Sequence, residues 1–227
     1  KPGGAAVTEE LWPGMHFSLS HEVLPEMLEY ERTSTTVVNA YVGPLIGRYL
    51  ARLRARFAEQ GLTAPLLVMQ SNGGLISAGA AASRPVTIIE SGPAAGVVAA
   101  ARLARDCNHA NVITLDMGGT TTKASIIEAG EMLRATEYEV GSKVSASSRL
   151  MRGNGYLLRI PVIDVSEVGA GGGSIATIDA GGSLRVGPSS AGAVPGPACY
   201  GQGNLHPTVT DANLVLGFLG VDSLAGG

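Results

Sequence analysis

Asp116, Gly118, Gly119, Thr120, Thr121 and Thr122 are the residues of this 227-residue chain whose types and spacing point most directly to chemistry. They sit in VITLDMGGTTTKASII, Val112 to Ile127, where an apolar run ends in an acid and two glycines and a second apolar run opens after three threonines. A strand, a glycine-tipped turn and a return strand would present backbone N–H groups with no side chain in the way, and such groups bind phosphate oxygens. The threonine hydroxyls add donors. Asp116, at the end of the first strand, is placed to hold magnesium directly or through its waters. A plain hairpin needs only the Gly-Gly pair; neither the acid before it nor the hydroxyls after it is required for turning. Lys123 follows at once, and either touches phosphate or simply projects from the strand.

Other candidates carry two readings each. Ser71 and Asn72, in SNGG, either contact a substrate or form a turn. Gly171, Gly172 and Gly173, in VGAGGGSIA, make a turn that lets a ligand or a neighbouring loop approach closely. They lack the G-x-G-x-x-G spacing, since position 174 is Ser, and a hairpin pattern follows instead of a βαβ unit; a dinucleotide fingerprint is not what they spell. Asp211 is a helix cap, a general base or a metal ligand, and Asp164 and Glu167 share the last two possibilities. Cys199 is a nucleophile or a buried structural thiol, with no His placed by sequence to activate it. His206 reads as a loop residue, and His16, His21 and His109 show no ligand spacing.

The elements that must position these groups follow from periodicity. Thr35 to Gln60 has Val37, Val38, Tyr41, Val42, Leu45, Ile46, Tyr49, Leu50 and Leu53 at three- and four-residue spacing, a long amphipathic helix with Arg48, Arg52, Arg54 and Arg56 outside. Pro44 either kinks it or divides it. PLLVMQ and PVTIIE read as short strands and AGAAAS as a helical turn. Ser91-Gly92-Pro93 opens an Ala- and Gly-rich helix suited to close packing between layers. KASIIEAGEML is a strand, a turn at Ala129-Gly130 and a return strand, and IATIDAGGSLRVG is a β-hairpin around Gly181-Gly182. Glu137 to Leu150 is polar and ambiguous. PSSAGAVPGPACYGQGN is too rich in Gly and Pro for regular structure, and loops of that length are usually functional or disordered. A last helix is capped by Thr210 or Asp211 and ended by Gly217 or Gly220.

Composition bounds the class. There are 32 glycines, aromatic residues make up 4%, and 16 basic residues face 19 acidic ones. That suits an α/β protein with a Val, Ile, Leu and Ala core and carries no nucleic-acid footprint. Two distant cysteines predict reduced thiols and a cytoplasmic setting. No signal peptide opens the chain, and the longest uncharged stretch, Val186 to Leu205, is broken by Gly and Pro, so no membrane span is expected.

ESGPAAGVVAAARLA followed by NVITLDMGGTTTKASII resembles the connecting helix and second phosphate loop of the actin-like ATPases. YERTSTTVVNAYVGP, MQSNGGL, ESGPAAGV, DMGGTTTKAS, VGAGGGSIATIDAGGSLRVGP, SAGAVPGPACYG and PTVTDANLVLG, in that order, resemble the hydantoinase A/oxoprolinase family from about Glu31 to Leu219. The resemblance implies an α/β fold: an actin-like (ribonuclease H-like) ATPase core with a mixed sheet and packed helices, present in part. Residues 1–34 would be a leader ending the family's N-terminal region. Residues 35–227 would form a hydantoinase A-type domain with a connecting helix at about 91–105 and a phosphate-loop subdomain at about 111–227. A first phosphate loop and an adenosine-binding Gly-Gly motif are not found in these residues, so the chain looks like a middle segment of a longer polypeptide.

The implied activity is opening of a small cyclic amide, a hydantoin or 5-oxoproline, by phosphoryl transfer from ATP onto the amide oxygen, with Mg2+ bridging the phosphates. The resemblance implies a B-type partner subunit or a C-terminal region. Relatives of this kind also serve as carboxylase subunits, and a non-catalytic actin-like nucleotide-binding module is the alternative from another class. A sugar-kinase relative finds no support outside the phosphate loop. Many members of the family carry Asp at the position of Lys123, and a Lys variant is also familiar there.

Overall fold

The computed structural model describes residues 8, 10–141 and 155–221. Parts of the expected leader (1–7 and 9), of the ambiguous polar stretch (142–150) and the last residues (222–227) lie outside the described residues. The chain divides into two compact units, one of residues 1–112 and 126–164, the other of residues 113–125 and 165–227. The expected phosphate-loop subdomain, about 111–227, is thus interrupted: residues 126–164 belong with the first unit.

The first unit contains the short helix α1 (Ser20–Val23) and the 31-residue helix α2 (Glu29–Glu59). Helix α2 starts six residues before the expected leader boundary at 34/35, and it runs through Pro44 without dividing. Its buried row is not the expected one. Thr35, Asn39, Gly43 and Leu50 are buried, while Val37, Tyr41, Leu45 and Tyr49 are 58%, 85%, 61% and 52% exposed. The row that packs is small or hydrogen-bonded, because close approach matters more here than apolar area. A Cβ on Gly43 would lie 2.0 Å from His16 Nε2, so any larger residue would have to turn that imidazole aside. Asn39, 1% exposed, donates to Ser18 Oγ at 3.0 Å and to the Ser83 carbonyl, and its Oδ1 accepts from Val86 N–H at 3.2 Å. A buried amide so engaged avoids the cost of an unsatisfied polar group.

Strands β1 (Leu67–Met69) and β2 (Leu75–Ser77) form an antiparallel hairpin. Helix α3 (Ala78–Ser83), capped by Ser77, occupies AGAAAS as expected. PVTIIE is not a strand: Pro85–Ile88 is a 3-10 turn, with Pro85 at its start and Val86 fully buried. Pro85 has no N–H to offer a ladder, and Asn39 takes that of Val86, so the backbone donors a strand would use are absent or committed. Helix α4 (Ser91–Asp106) is the expected Ala- and Gly-rich helix. The core gathers Val23, Val86, Leu158, Ile160 and Val162, with Val38, Ile89, Ala135, Tyr138 and Val140 packed against it. These come from segments far apart in sequence, which is why residues 126–164 cluster with the N-terminal helices. Arg159 pairs with both Glu26 and Glu137, and its backbone N–H donates to Thr35 Oγ1 at 3.0 Å.

The second unit is built on β3 (Val112–Met117), β4 (Thr122–Glu128) and β10 (Ser166–Val168), in the spatial order β10-β4-β3. Strand β4 runs antiparallel to β10, with Glu167 opposite Lys123 and Val168 opposite Thr122. Beyond this, Ala129 and Gly130 take positive φ and return the chain to β5 (Glu131–Met132), the expected turn. Strands β6 to β9 (Arg134–Ala135, Tyr138–Val140, Tyr156–Leu158 and Val162–Ile163) pair as β6 with β9 and β7 with β8 within the first unit. The expected hairpin around Gly181-Gly182 forms as β11 (Ser174–Ile178) and β12 (Leu184–Ser190), and helix α5 (Val209–Val215) closes the described chain. No described helix is long and apolar enough to cross a membrane.

Candidate functional site

The β3–β4 connection is a tight turn closed by a hydrogen bond from Gly118 N–H to the Thr121 carbonyl at 2.9 Å. Neither Gly118 nor Gly119 has positive φ, so the backbone does not demand glycine. Packing does not demand it either. A Cβ at Gly118 would meet only the Thr121 carbonyl at 3.5 Å, and one at Gly119 would meet nothing within 4 Å. What the two glycines do is leave the exposed tip uncovered.

The tip is held from behind by the second glycine turn. Gly172 N–H donates to the Gly118 carbonyl at 2.9 Å, and Gly173 N–H to the Gly119 carbonyl at 2.6 Å. Both tip carbonyls are thereby engaged, while the N–H groups of Gly119, Thr120 and Thr121 have no partner among the described residues. The hydroxyls of Thr120 and Thr121 have none either. Thr122, expected beside them as a phosphate donor, faces the other way: it is 8% exposed and its hydroxyl donates to the Ala170 carbonyl. Its role is to fasten the base of the loop, because alternation along β4 turns it inward.

Glycine is required in the second turn. A Cβ on Gly171 would lie 2.7 Å from the Thr120 carbonyl carbon and the Thr121 nitrogen. One on Gly172 would lie 2.8 Å from Thr210 Oγ1, and one on Gly173 would lie 3.0 Å from the Gly119 carbonyl and from Ser190 Oγ. Ser174, fully buried, accepts from Gly171 N–H at 2.8 Å and shapes the turn locally. Thr210 donates twice to the Gly172 carbonyl, from N–H and from Oγ1, each at 2.8 Å.

Asp116 lies on β3 one residue before its end and is exposed. Its carboxylate makes no hydrogen bond or ion pair among the described residues. No group of three His, Cys, Asp or Glu side chains is placed to hold a metal among those residues. Asp116 alone is a single exposed carboxylate, the kind of donor magnesium takes when waters and substrate phosphates supply its other ligands. Lys123 lies across from Glu167, with Nζ 3.4 Å from Oε2, so its ammonium is drawn toward the neighbouring strand.

Asp211 is the N3 residue of a capping box whose N-cap is Thr208, not Thr210 or Asp211 as the sequence suggested. The T-x-x-D spacing of Thr208 and Asp211 was the available signal. One Asp211 oxygen accepts from Cys199 N–H at 2.7 Å; the other accepts from Thr208 N–H at 2.7 Å, Thr208 Oγ1 at 2.8 Å and Ala198 N–H at 3.2 Å. Partial burial raises its pKa, but these donors outweigh that and hold the carboxyl at about 2. A carboxylate so occupied is a poor general base. Burial, then the hydrogen bond to Asp211 and its charge, pushes the Cys199 thiol up to about 11, which disfavours the thiolate a nucleophile needs.

Asp211→Ala in the intact protein is expected to cost about 2–3 kcal/mol, because it removes a cap and strands several N–H groups. The folded pKa lies below the unfolded value of about 3.9. The carboxylate's contribution is therefore fully present above about pH 4 and is lost as pH falls toward about 2. Urea denaturation of wild type and variant from pH 6 to pH 2 checks this; a stability gap that does not narrow below pH 4 contradicts it.

Ser71 and Asn72 belong to the first unit and hold its own turn. Ser71 Oγ accepts from Glu90 N–H at 3.1 Å, and Asn72 Oδ1 accepts from Gly74 N–H at 2.8 Å. His206 sits in an exposed loop, its N–H donating to Asn204 Oδ1.

The hydantoinase/oxoprolinase family model matches residues 32–227. The chain is 45% identical over 222 residues to the caprolactamase alpha subunit of Pseudomonas jessenii, covering 98% of this chain and 30% of that protein. It is 38% identical over 205 residues to the 5-oxoprolinase of Saccharomyces cerevisiae, covering 90% and 14%. The crystal structure of the ATP-dependent caprolactamase from P. jessenii superposes with a TM-score of 0.69 at 44% identity, over 98% of this chain and 30% of that one. Nucleotide-free acetone carboxylase gives 0.69 at 29% identity, over 89% and 27%. The chain has part of an actin-like ATPase α/β core. It belongs to the hydantoinase/oxoprolinase family. It spans about 30% of the length of the caprolactamase relative.

Proposed function

We propose that the intact protein couples ATP hydrolysis to the opening of a small cyclic amide, with Gly118 to Thr121 as the phosphate-facing loop. One observation carries this reading: both tip carbonyls are bound from behind while three successive N–H groups and two threonine hydroxyls stand uncommitted on an exposed tip. A turn with carbonyls withdrawn and N–H groups outward is built for an anion. The relatives named for caprolactam and 5-oxoproline hydrolysis support the substrate class.

In this reading the Gly119, Thr120 and Thr121 N–H groups hold β- and γ-phosphate oxygens of the bound nucleotide, and their fixed dipoles need no reorientation as charge develops. Transfer of the γ-phosphoryl to the amide oxygen makes the ring carbon electrophilic; water then adds, and the C–N bond breaks with release of phosphate. Asp116 would hold magnesium, which neutralises phosphate charge when bound. A partner subunit completes the enzyme in the manner of the relatives named as subunits.

The second reading is a carboxylase subunit, favoured by the likeness to acetone carboxylase. Phosphate release by the intact protein, assayed with caprolactam, hydantoin and 5-oxoproline and separately with acetone plus bicarbonate, separates the two. Stimulation by a cyclic amide is the expected result. Stimulation only by ketone with bicarbonate replaces it with the second reading.

A further inference from the structure

We infer that the Gly171–Gly173 turn and Thr210 form a positioning device that sets the direction of the phosphate-facing N–H groups; this rests on the phosphate-loop reading above.

The inference follows from peptide planarity. In a trans peptide the carbonyl and the next residue's N–H point in opposite directions. The Gly118 carbonyl is held by Gly172 N–H, so the Gly119 N–H must face away from the glycine turn. The Gly119 carbonyl is held by Gly173 N–H, so the Thr120 N–H faces away as well. The same rule applies one layer back. Thr210 grips the Gly172 carbonyl with two donors, which aims the N–H of that peptide, the Gly173 N–H, at the Gly119 carbonyl. Peptide units at 172–173 and 119–120 are thus set in series from Thr210 to the tip. Thr210 is itself placed by the capping box of α5, whose Asp211 ties the helix start to Ala198 and Cys199.

The absence of side chains at 171–173 is what permits the contact. Those glycines approach the loop at distances where a Cβ would meet backbone or the Thr210 hydroxyl at 3.0 Å or less. Moving the loop by a few tenths of an ångström would swing its N–H groups off a bound phosphate while leaving both turns intact.

The test uses the intact protein with Thr210→Val and Thr210→Ser. Valine keeps the shape and the backbone donor but removes the hydroxyl. The expected result is ADP affinity weakened about ten-fold, the effect of one lost hydrogen bond to a positioned carbonyl. kcat/KM for ATP should fall at least as much, while KM for the cyclic amide stays unchanged. Serine should restore ADP affinity to within about two-fold. Gly171→Ala, which drives a Cβ into the Thr120–Thr121 peptide, should lose about a hundred-fold. If that variant does not fold, the Thr210 pair still decides. ADP affinity of a folded Thr210→Val protein within two-fold of wild type overturns the inference, as does an equal effect of valine and serine. Asp116→Ala run in parallel separates the two levels. If it abolishes ATP turnover while Thr210→Val changes nothing, only the positioning role fails; if neither changes turnover, the phosphate-loop reading fails with it.

Discussion

Asp116→Ala in the intact protein is expected to lower magnesium-dependent ATP turnover by about a thousand-fold or more while leaving the fold in place. The carboxylate is exposed and makes no hydrogen bond or ion pair among the described residues, so its removal breaks nothing that holds β3. A surface substitution of this kind usually shifts stability by no more than about 0.5 kcal/mol. Its cost falls on the reaction, because a phosphoryl group in transfer carries negative charge that a bound cation must offset. The measurements are phosphate release across a magnesium titration and a thermal melt. Turnover near the wild-type level in a folded variant would show that Asp116 does not order the metal. Partial recovery at high magnesium would fit a weakened site, since one lost carboxylate leaves the phosphate and water ligands.

The second large effect concerns these 227 residues expressed alone. They are expected to fold at least in part, since the first unit has its own core around Val86 and Leu158. They are not expected to hydrolyse ATP at rates approaching about one per second, the lower end of the ordinary enzyme range. Phosphoryl transfer is mainly positioning and charge stabilisation, and a phosphate held by one loop is free to turn and to meet water. Weak phosphate binding should survive, because the N–H groups at 119–121 are presented by the second unit's own hydrogen bonds. Phosphate release by the purified chain, with and without a cyclic amide, is the assay. A rate near one per second in a preparation free of the longer protein would place the whole reaction within this segment.

The exposed apolar residues bear on the same experiment. Ile113 and Leu115, on the outermost strand of the β10-β4-β3 sheet, are 75% and 70% exposed, and a row of α2 is similarly bare. Apolar surface of this extent favours association when left uncovered. The chain alone should therefore be assayed at low concentration, with its state of association measured.

How much of this was legible in the sequence differs from element to element. The β3–β4 turn, the Ala129-Gly130 turn, the β11–β12 hairpin and the Ala- and Gly-rich helix α4 were all readable, because each is set by short-range signals: glycine position, strand alternation and helical small-residue spacing. The place of Asp116 near the end of β3, before Gly118-Gly119, was readable for the same reason. PVTIIE misled because apolar content alone does not distinguish a strand from a buried 3-10 turn; the deciding partner, Asn39, lies 47 residues away. The α2 stripe misled because hydrophobicity states a preference for burial without naming a neighbour. Gly43 and Asn39 offered a closer fit to His16, Ser18 and Val86 than the larger side chains could.

By itself, then, the sequence determined a glycine-tipped turn between two strands, the α/β class and the order of local elements, all consequences of residues within a few positions of one another. Only the tertiary structure decided what that loop faces. Gly172 and Gly173 reach back more than 50 residues to bind the Gly118 and Gly119 carbonyls, and Thr210 reaches back 38 to hold Gly172. Thr122 turned inward for the same reason, to meet Ala170 across 48 residues. A backbone carbonyl has no residue identity, so nothing in the amino-acid letters says which N–H will hold it. Chain closure brings the two glycine turns together, and hydrogen-bond geometry then fixes which N–H groups of the loop stay uncommitted.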